Sequence, residues 1–211
     1  MSELTTTTIF LGLSLVTCKL IRCHTANNIQ HEKENTIIKS SSLYWNCPDR
    51  IAPFSITTSK TDLATLHSQI ATVVQTICSE WKNITQNQME ISVVSGGITN
   101  LLYQVKQSSD SVSSLLVRIY GEKTEILIDR ENENKTFAEL SKRNYAPDYF
   151  GRFENGRIEG YISNTRSLHS VELGKTSPIH FVKYIAQEMA SLHTIKIPMI
   201  DTSAQLWKVK L

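Results

Sequence analysis

Two alternating runs meet at an adjacent glycine pair in EISVVSGGITNLLYQVKQ, residues 90–107. Ile91, Val93 and Ser95 alternate with Ser92 and Val94; beyond the glycines, Leu101, Tyr103 and Val105 alternate with Leu102 and Gln104. A period of two marks a strand with one face toward a core, and Gly96-Gly97 supplies a turn between two such strands. A third run, SSLLVRIYG, is β-branched and aromatic and ends at Gly121. In it Leu115, Val117 and Ile119 share one face, and Leu116, Arg118 and Tyr120 the other.

The flanking segments have helical spacing. In TDLATLHSQIATVVQTICSEW, Leu63, Leu66, Ile70, Val73, Val74, Ile77 and Trp81 recur at threes and fours, with Thr61 or Asp62 as cap. His67 falls at the surface or boundary of this helix. KTEILIDR reads as a short extended piece running into a helix, DRENENKTFAELSKRN, capped by Asp129 with acids in its first turn. Glu131/Lys135 and Glu139/Arg143 are spaced for ion pairs one turn apart. Pro147 breaks the chain after Ala146. DYFGRFENGRIEGYIS is a hairpin signalled by Asn155-Gly156. TSPIHFVKYIAQEMASLHTI is a helix with Ser177 as cap and Pro178 at its first position. Its expected buried stripe is Ile179, Val182, Ile185, Met189 and Leu192, with His193 as a hydrogen-bonded core histidine. Successive strands joined by short turns favour an α+β layer, an antiparallel sheet with helices on one side.

Composition sets broad bounds. The 211 residues are 40% hydrophobic and 20% charged; the net charge of +2 argues neither for nor against a nucleic-acid partner, but no Lys/Arg run reads as a basic arm and no such partner is expected. Cys18, Cys23, Cys47 and Cys78 form no zinc spacing and read as unligated thiols of a reducing, cytoplasmic setting. The uncharged segment Leu4 to Cys18 is too short for a membrane span, and Glu3 as the only early charge does not make a secretory signal. Residues 1–55 lack a sustained period and are expected to be a disordered tail.

Taken singly, the chemically suggestive features have plain readings. The glycine pair is a turn: it matches neither a Walker A loop, for want of Lys-Ser/Thr, nor a full kinase Gly-x-Gly-x-x-Gly. Arg118 is a strand arginine reaching for solvent, and Glu131 and Glu133 form a solvated helix start. The ordered set says more. A glycine hairpin, a strand cation, a helix with early acids, a hairpin and another helix follow the layout of a kinase small lobe, in which a loop covers phosphates, a cation contacts them and a helix carboxylate positions the cation.

GGITNLLYQV, LLVRIYGEKTEILIDRENE, APDYFGRFENGRIEGYIS and IAQEMASLHTIKIPM together resemble the choline/ethanolamine kinase family, from about Trp81 to Met199. The VRIYGEKTE block is most like the ethanolamine kinases; GRIEGYIS and LHTIKIP are shared with choline kinases. The resemblance implies a protein-kinase-like small lobe over residues 56–163, and a hinge with the first helix of a truncated large lobe over 164–211. It also implies phosphorylation of the hydroxyl of ethanolamine or choline by ATP and Mg2+, toward phosphatidylethanolamine or phosphatidylcholine, and it allows a dimer. Carried onto this chain, Ser95, Gly96, Gly97, Ile98, Thr99 and Asn100 would form the loop over the phosphates. Arg118 would contact them and Glu133 would be its helix partner. Glu159 to Ile162, with Tyr161, would be the hinge offering backbone groups to adenine.

The resemblance also shows a gap. The family's catalytic His-x-Asp, its following Asn and a later metal-binding Asp have no counterpart: none of His24, His31, His67, His169, His180 and His193 has an Asp two residues on. The alternatives are another aminoglycoside-phosphotransferase-like kinase, a non-catalytic interaction module with the same fold, and a secreted protein. Last-helix apolar residues without partners are expected to promote association. General-base help alone contributes ~10²–10⁴-fold to such transfers. The 211-residue polypeptide assayed by itself with ATP, magnesium and ethanolamine is therefore expected to show no appreciable turnover. Product formation at ordinary enzyme rates would contradict this.

Overall fold

The computed structural model describes residues 47–58, 62–94, 100–108, 110–126, 128–166, 168–173 and 181–198. These fall into two compact units. One lies within Ser42–Ile126 and Asp148–Ser163, the other within Leu127–Pro147 and Asn164–Leu211.

The first unit is a six-stranded sheet backed by a helix. The strands are β1 (Ile51–Ala52), β2 (Met89–Val93), β3 (Asn100–Gln107), β4 (Asp110–Tyr120), β5 (Tyr149–Phe153) and β6 (Gly156–Gly160), in the order β1-β5-β6-β4-β3-β2. The expected antiparallel pairing holds for β2–β3, β3–β4, β4–β6 and β5–β6, while β1 pairs with β5 in parallel, so the sheet is mixed. Ile51 and Ala52, within the stretch 1–55 expected to be a disordered tail, instead form this edge strand where β5 offers an edge, and Ala52 is fully buried in the core.

Helix α1 (Leu63–Ile77) starts where the cap signal lies: Asp62 Oδ1 accepts from the Thr65 N–H at 2.9 Å. Leu66, Ile70, Val73, Val74 and Ile77 join Tyr103, Val105, Leu115, Val117, Ile119, Phe153 and Ile158 in one hydrophobic cluster. Leu63, in the first turn, is instead exposed. Trp81 lies past the helix end, in a 3-10 turn over Ser79–Trp81, but stays in the core.

The β5–β6 hairpin turns one residue earlier than Asn155-Gly156 predicts. Phe153 pairs with Gly156, so Glu154 and Asn155 form the turn and Gly156 opens β6. The shift has two causes. A Cβ on Gly156 would overlap the Arg118 carbonyl oxygen and the Phe153 ring, so this strand position needs glycine. Asn155 has a bonding role of its own: its Oδ1 accepts from the Ile56 N–H at 2.9 Å, and its Nδ2 donates to the Ile56 carbonyl at 2.8 Å.

In the second unit, α2 (Arg130–Lys142) is capped by Asp129, whose Oδ1 accepts from the Asn132 N–H at 3.0 Å. Phe137, Ala138 and Leu140 are buried. The Glu131–Lys135 pair forms at 3.6 Å, but Glu139 pairs with Lys142 at 2.8 Å rather than with Arg143, which donates to the Lys196 carbonyl. The segment expected to run extended into α2 is a 3-10 turn over Thr124–Ile126, closed by the Thr124 hydroxyl on the Gly121 carbonyl. Helix α3 (Phe181–His193) has no buried residue: Val182 is exposed, and Ile185, Met189 and Leu192 are half-buried. The stripe is present, but it lacks a full apolar partner among the described residues. His193 is exposed rather than in a core. Ser177, Pro178 and Ile179 lie outside the described residues.

Replacing Asn155 by Ala removes both side-chain bonds to Ile56, whose residue is 2% exposed. Unsatisfied buried backbone groups cost about 1–3 kcal/mol. Asn155→Ala is expected to lower the urea midpoint accordingly, and an unchanged midpoint would show that the clamp adds nothing.

Candidate functional site

Strand β4 places side chains alternately on two sides of the sheet. Leu115, Val117 and Ile119 enter the core cluster, which leaves Leu116, Arg118 and Tyr120 on the opposite face. Register with β6 sets Arg118 directly across from Arg157, and Leu116 across from Glu159. Arg152 of β5 is in turn across from Arg157. Three arginines thus occupy one row over three neighbouring strands, although like charges directly opposite repel.

Glu159 relieves that repulsion between β4 and β6. Its Oε1 accepts from Arg118 Nε at 2.6 Å and from Arg157 Nε at 2.7 Å, and its Oε2 faces Arg118 Nη2 at 3.4 Å. The side chains of Arg157 and Glu159 are 2% and 3% exposed, whereas that of Arg118 is 18% exposed. Burial by itself pushes the Glu159 carboxyl up; the two guanidiniums outweigh this and bring it down to about 2. Tyr149, across from Glu159, has its phenol pushed up by burial.

The other expected site residues are distributed as follows. Ser95, Gly96, Gly97, Ile98 and Thr99 lie outside the described residues. The strands flanking them are paired: Val94 N–H donates to the Leu102 carbonyl at 2.9 Å, and Asn100 begins β3 across from Tyr120. Leu102 is across from Arg118, so residues 95–99 connect β2 to the strand that borders the arginine's own. Glu133 forms its ion pair with Arg130 at 2.6 Å, and the acid that Arg118 holds is Glu159. In the segment expected to be the hinge, the Gly160 and Tyr161 N–H groups donate to the Asp148 carbonyl at 2.8 Å and the Ser114 carbonyl at 3.1 Å. Arg157 was not foreseen from the sequence. The signal is Arg-x-Glu within a strand, which puts both side chains on one face beside the arginine of β4.

Cys47 and Cys78 are free thiols, and burial pushes Cys78 up to about 12, an unreactive state at neutral pH. Among the described residues, no group of three or more His, Cys, Asp or Glu could hold a metal ion, and no helix is long and apolar enough to cross a membrane.

This architecture, an α+β sheet with a strand cation beside a hairpin, is that of a kinase-like small lobe. The structure of an ethanolamine kinase from Plasmodium vivax is similar with a TM-score of 0.58 at 28% identity, over 73% of this chain and 40% of that one. A choline kinase from Cryptosporidium parvum gives 0.53 at 26% identity. The choline/ethanolamine kinase family profile matches residues 91–210, more than half of the chain. The chain belongs to the choline/ethanolamine kinase family. Curated relatives include a probable choline kinase 2 of Arabidopsis thaliana, 33% identical over 67% of this chain and 40% of its own length. They also include the human ethanolamine kinase 2, 33% identical over 58% of this chain and 30% of its own length. The chain thus spans about 40% or less of the length of these relatives.

Because the folded carboxyl of Glu159 lies below its ordinary value of 4.5, at about 2, its stabilisation is complete above about pH 4.5. It is lost as pH falls from there toward about 2, since protonation then favours the unfolded chain. The contribution is on the order of 3 kcal/mol. Urea unfolding between pH 5 and 2 is expected to show this loss in the wild type and a shallower dependence in Glu159→Gln. Identical slopes would refute the assignment.

Proposed function

We propose that this chain forms the nucleotide-binding part of an ATP-dependent kinase that phosphorylates the hydroxyl of ethanolamine or choline, in the synthesis of phosphatidylethanolamine or phosphatidylcholine. The observation that carries the reading is Arg118. In a chain of this family, it is a cation fixed on the strand next to β3, which residues 95–99 join to β2. ATP would supply the phosphoryl group. Arg118 would meet its phosphates, Ser95 to Asn100 would lie over them, and Glu133 would act from the first turn of α2. Glu159 to Ile162, with Tyr161, would form the segment beside adenine. On this reading the small lobe is 56–163 together with the edge strand Ile51–Ala52 that precedes it, and 164–211 are the hinge and the start of a large lobe.

A chain of this kind contributes binding and charge rather than bond-making. Phosphoryl transfer relies on positioning and charge neutralisation, and a guanidinium matches a phosphate's oxygens edge to edge. Mg2+ would accompany the nucleotide, bound largely through its phosphate oxygens. The setting proposed is cytoplasmic, in keeping with the free thiols at Cys47 and Cys78. The acceptor is a small amino alcohol rather than a nucleic acid, and the family reading allows a dimer.

Titration of the full 211-residue chain with Mg-ATP, followed by calorimetry, tests the reading. Hydrogen bonds to charged groups contribute roughly 1.5–3 kcal/mol each. Arg118→Met is expected to weaken binding about tenfold or more. Equal affinity of wild type and variant would remove Arg118 from the nucleotide site.

A further inference from the structure

A guanidinium can face an oxyanion along two edges: sideways through Nε and one Nη, or end-on through both Nη groups. In Arg118 the sideways edge is occupied, with Nε on Glu159 Oε1 at 2.6 Å and Nη2 toward Oε2 at 3.4 Å. Among the described residues, no side-chain hydrogen bond of Arg118 goes to any other group. Glu159 is itself held from the other side, by Arg157 Nε at 2.7 Å. All three side chains stand on adjacent strands in fixed register, and only that of Arg118 reaches solvent appreciably.

We infer that Glu159 is the positioning residue of Arg118: it takes the sideways edge of the guanidinium and so presents the end-on edge to an anionic ligand. Resting on the proposed function, this makes the ligand the polyphosphate of a nucleotide. It also moves the positioning role from a helix carboxylate to a strand carboxylate, with Arg157 as the anchor that keeps Glu159 in place. A bound phosphate then need not compete with Glu159, because the two anions use different edges. Glutamine at 159 cannot do the same work. Its one oxygen can accept from both Nε–H groups but carries no charge to hold two cations, and its amide NH2, in the place of Oε2, would face Arg118 Nη2 donor to donor. Arg118, the more exposed of the two, is the one expected to swing into water.

Guanidinium 15N–1H spectra of the full chain test this, with the Arg118 signals identified by their absence in Arg118→Met. In the wild type the Arg118 Nε–H signal is expected to be protected from solvent exchange. Mg-ATP, or inorganic triphosphate in its place, is expected to shift the Arg118 Nη signals and leave Nε–H protected. Glu159→Gln should lose the protected signal and bind Mg-ATP about tenfold more weakly at temperatures where circular dichroism shows it folded. A merely structural role would lower the melting temperature and leave that affinity unchanged. The inference is overturned if Glu159→Gln binds as tightly as wild type, or if the wild-type Nε–H exchanges freely. It is equally overturned if the ligand displaces Nε–H from Glu159. Should Glu159→Gln fail to fold, the wild-type titration decides by itself. If Arg118→Met binds Mg-ATP as well as wild type, the nucleotide assignment of Arg118 falls, and this inference with it. If Arg118→Met loses binding while Glu159→Gln keeps it, only the inference falls.

Discussion

A carboxylate removed from water must find cations at hydrogen-bond distance, because desolvation costs an isolated ion several kcal/mol. Glu159 satisfies this requirement twice through one oxygen, and the site depends on that sharing. The same contact makes the sheet possible as built. Arg118 and Arg157 stand directly opposite in the β4–β6 ladder, an arrangement that repels unless an acid lies between them. A slip of one residue would exchange the faces of every side chain in β6. Ile158, fully buried in the core cluster, would leave it, and Glu159 would enter. Apolar packing on one face and charge compensation on the other therefore specify one register.

The hairpin that delivers Arg157 and Glu159 is held by two local devices. Gly156 lets β6 approach the Arg118 backbone where any side chain would meet the carbonyl and the Phe153 ring. Asn155 ties the turn to Ile56 by a pair of bonds resembling a strand bridge, and its own carbonyl accepts from the Tyr120 N–H at 2.8 Å. Both act within two residues of Arg118 or of its cross-strand neighbour. Positioning of the cation is thus a property of the sheet's main chain as well as of one ion pair.

Much of the fold was legible because it rests on periodicity. Spacings of threes and fours from Leu66 to Ile77, and of twos from Leu115 to Ile119, mark residues that are buried in the structure. Asp62 and Asp129 are legible for a local reason: a carboxylate before a helix meets its free N–H groups. What escaped depends on contacts between segments distant in sequence. Ile51 and Ala52 become a strand only because β5 offers an edge. Asn155-Gly156 marks the hairpin, but the clamp on Ile56 decides which residues turn. Ile126 suggests an extended piece, yet the Thr124 hydroxyl closes a tighter turn on Gly121. At the site, Arg118 is found by its face on β4, while Glu159 looks like a backbone position until the cross-strand register brings its carboxylate to Arg118.

That register bears on how such a site is controlled. Where the carboxylate serving a strand cation sits on a helix, movement of the helix can make or break the pair. Here the guanidinium and its acid belong to neighbouring strands whose ladder runs from Leu115–Gly160 to Ile119–Gly156. Separating them means disrupting a sheet whose other face is the core, and packed interiors do not deform continuously. On the proposed reading, the edge that meets a phosphate is set when the sheet folds, before any ligand arrives.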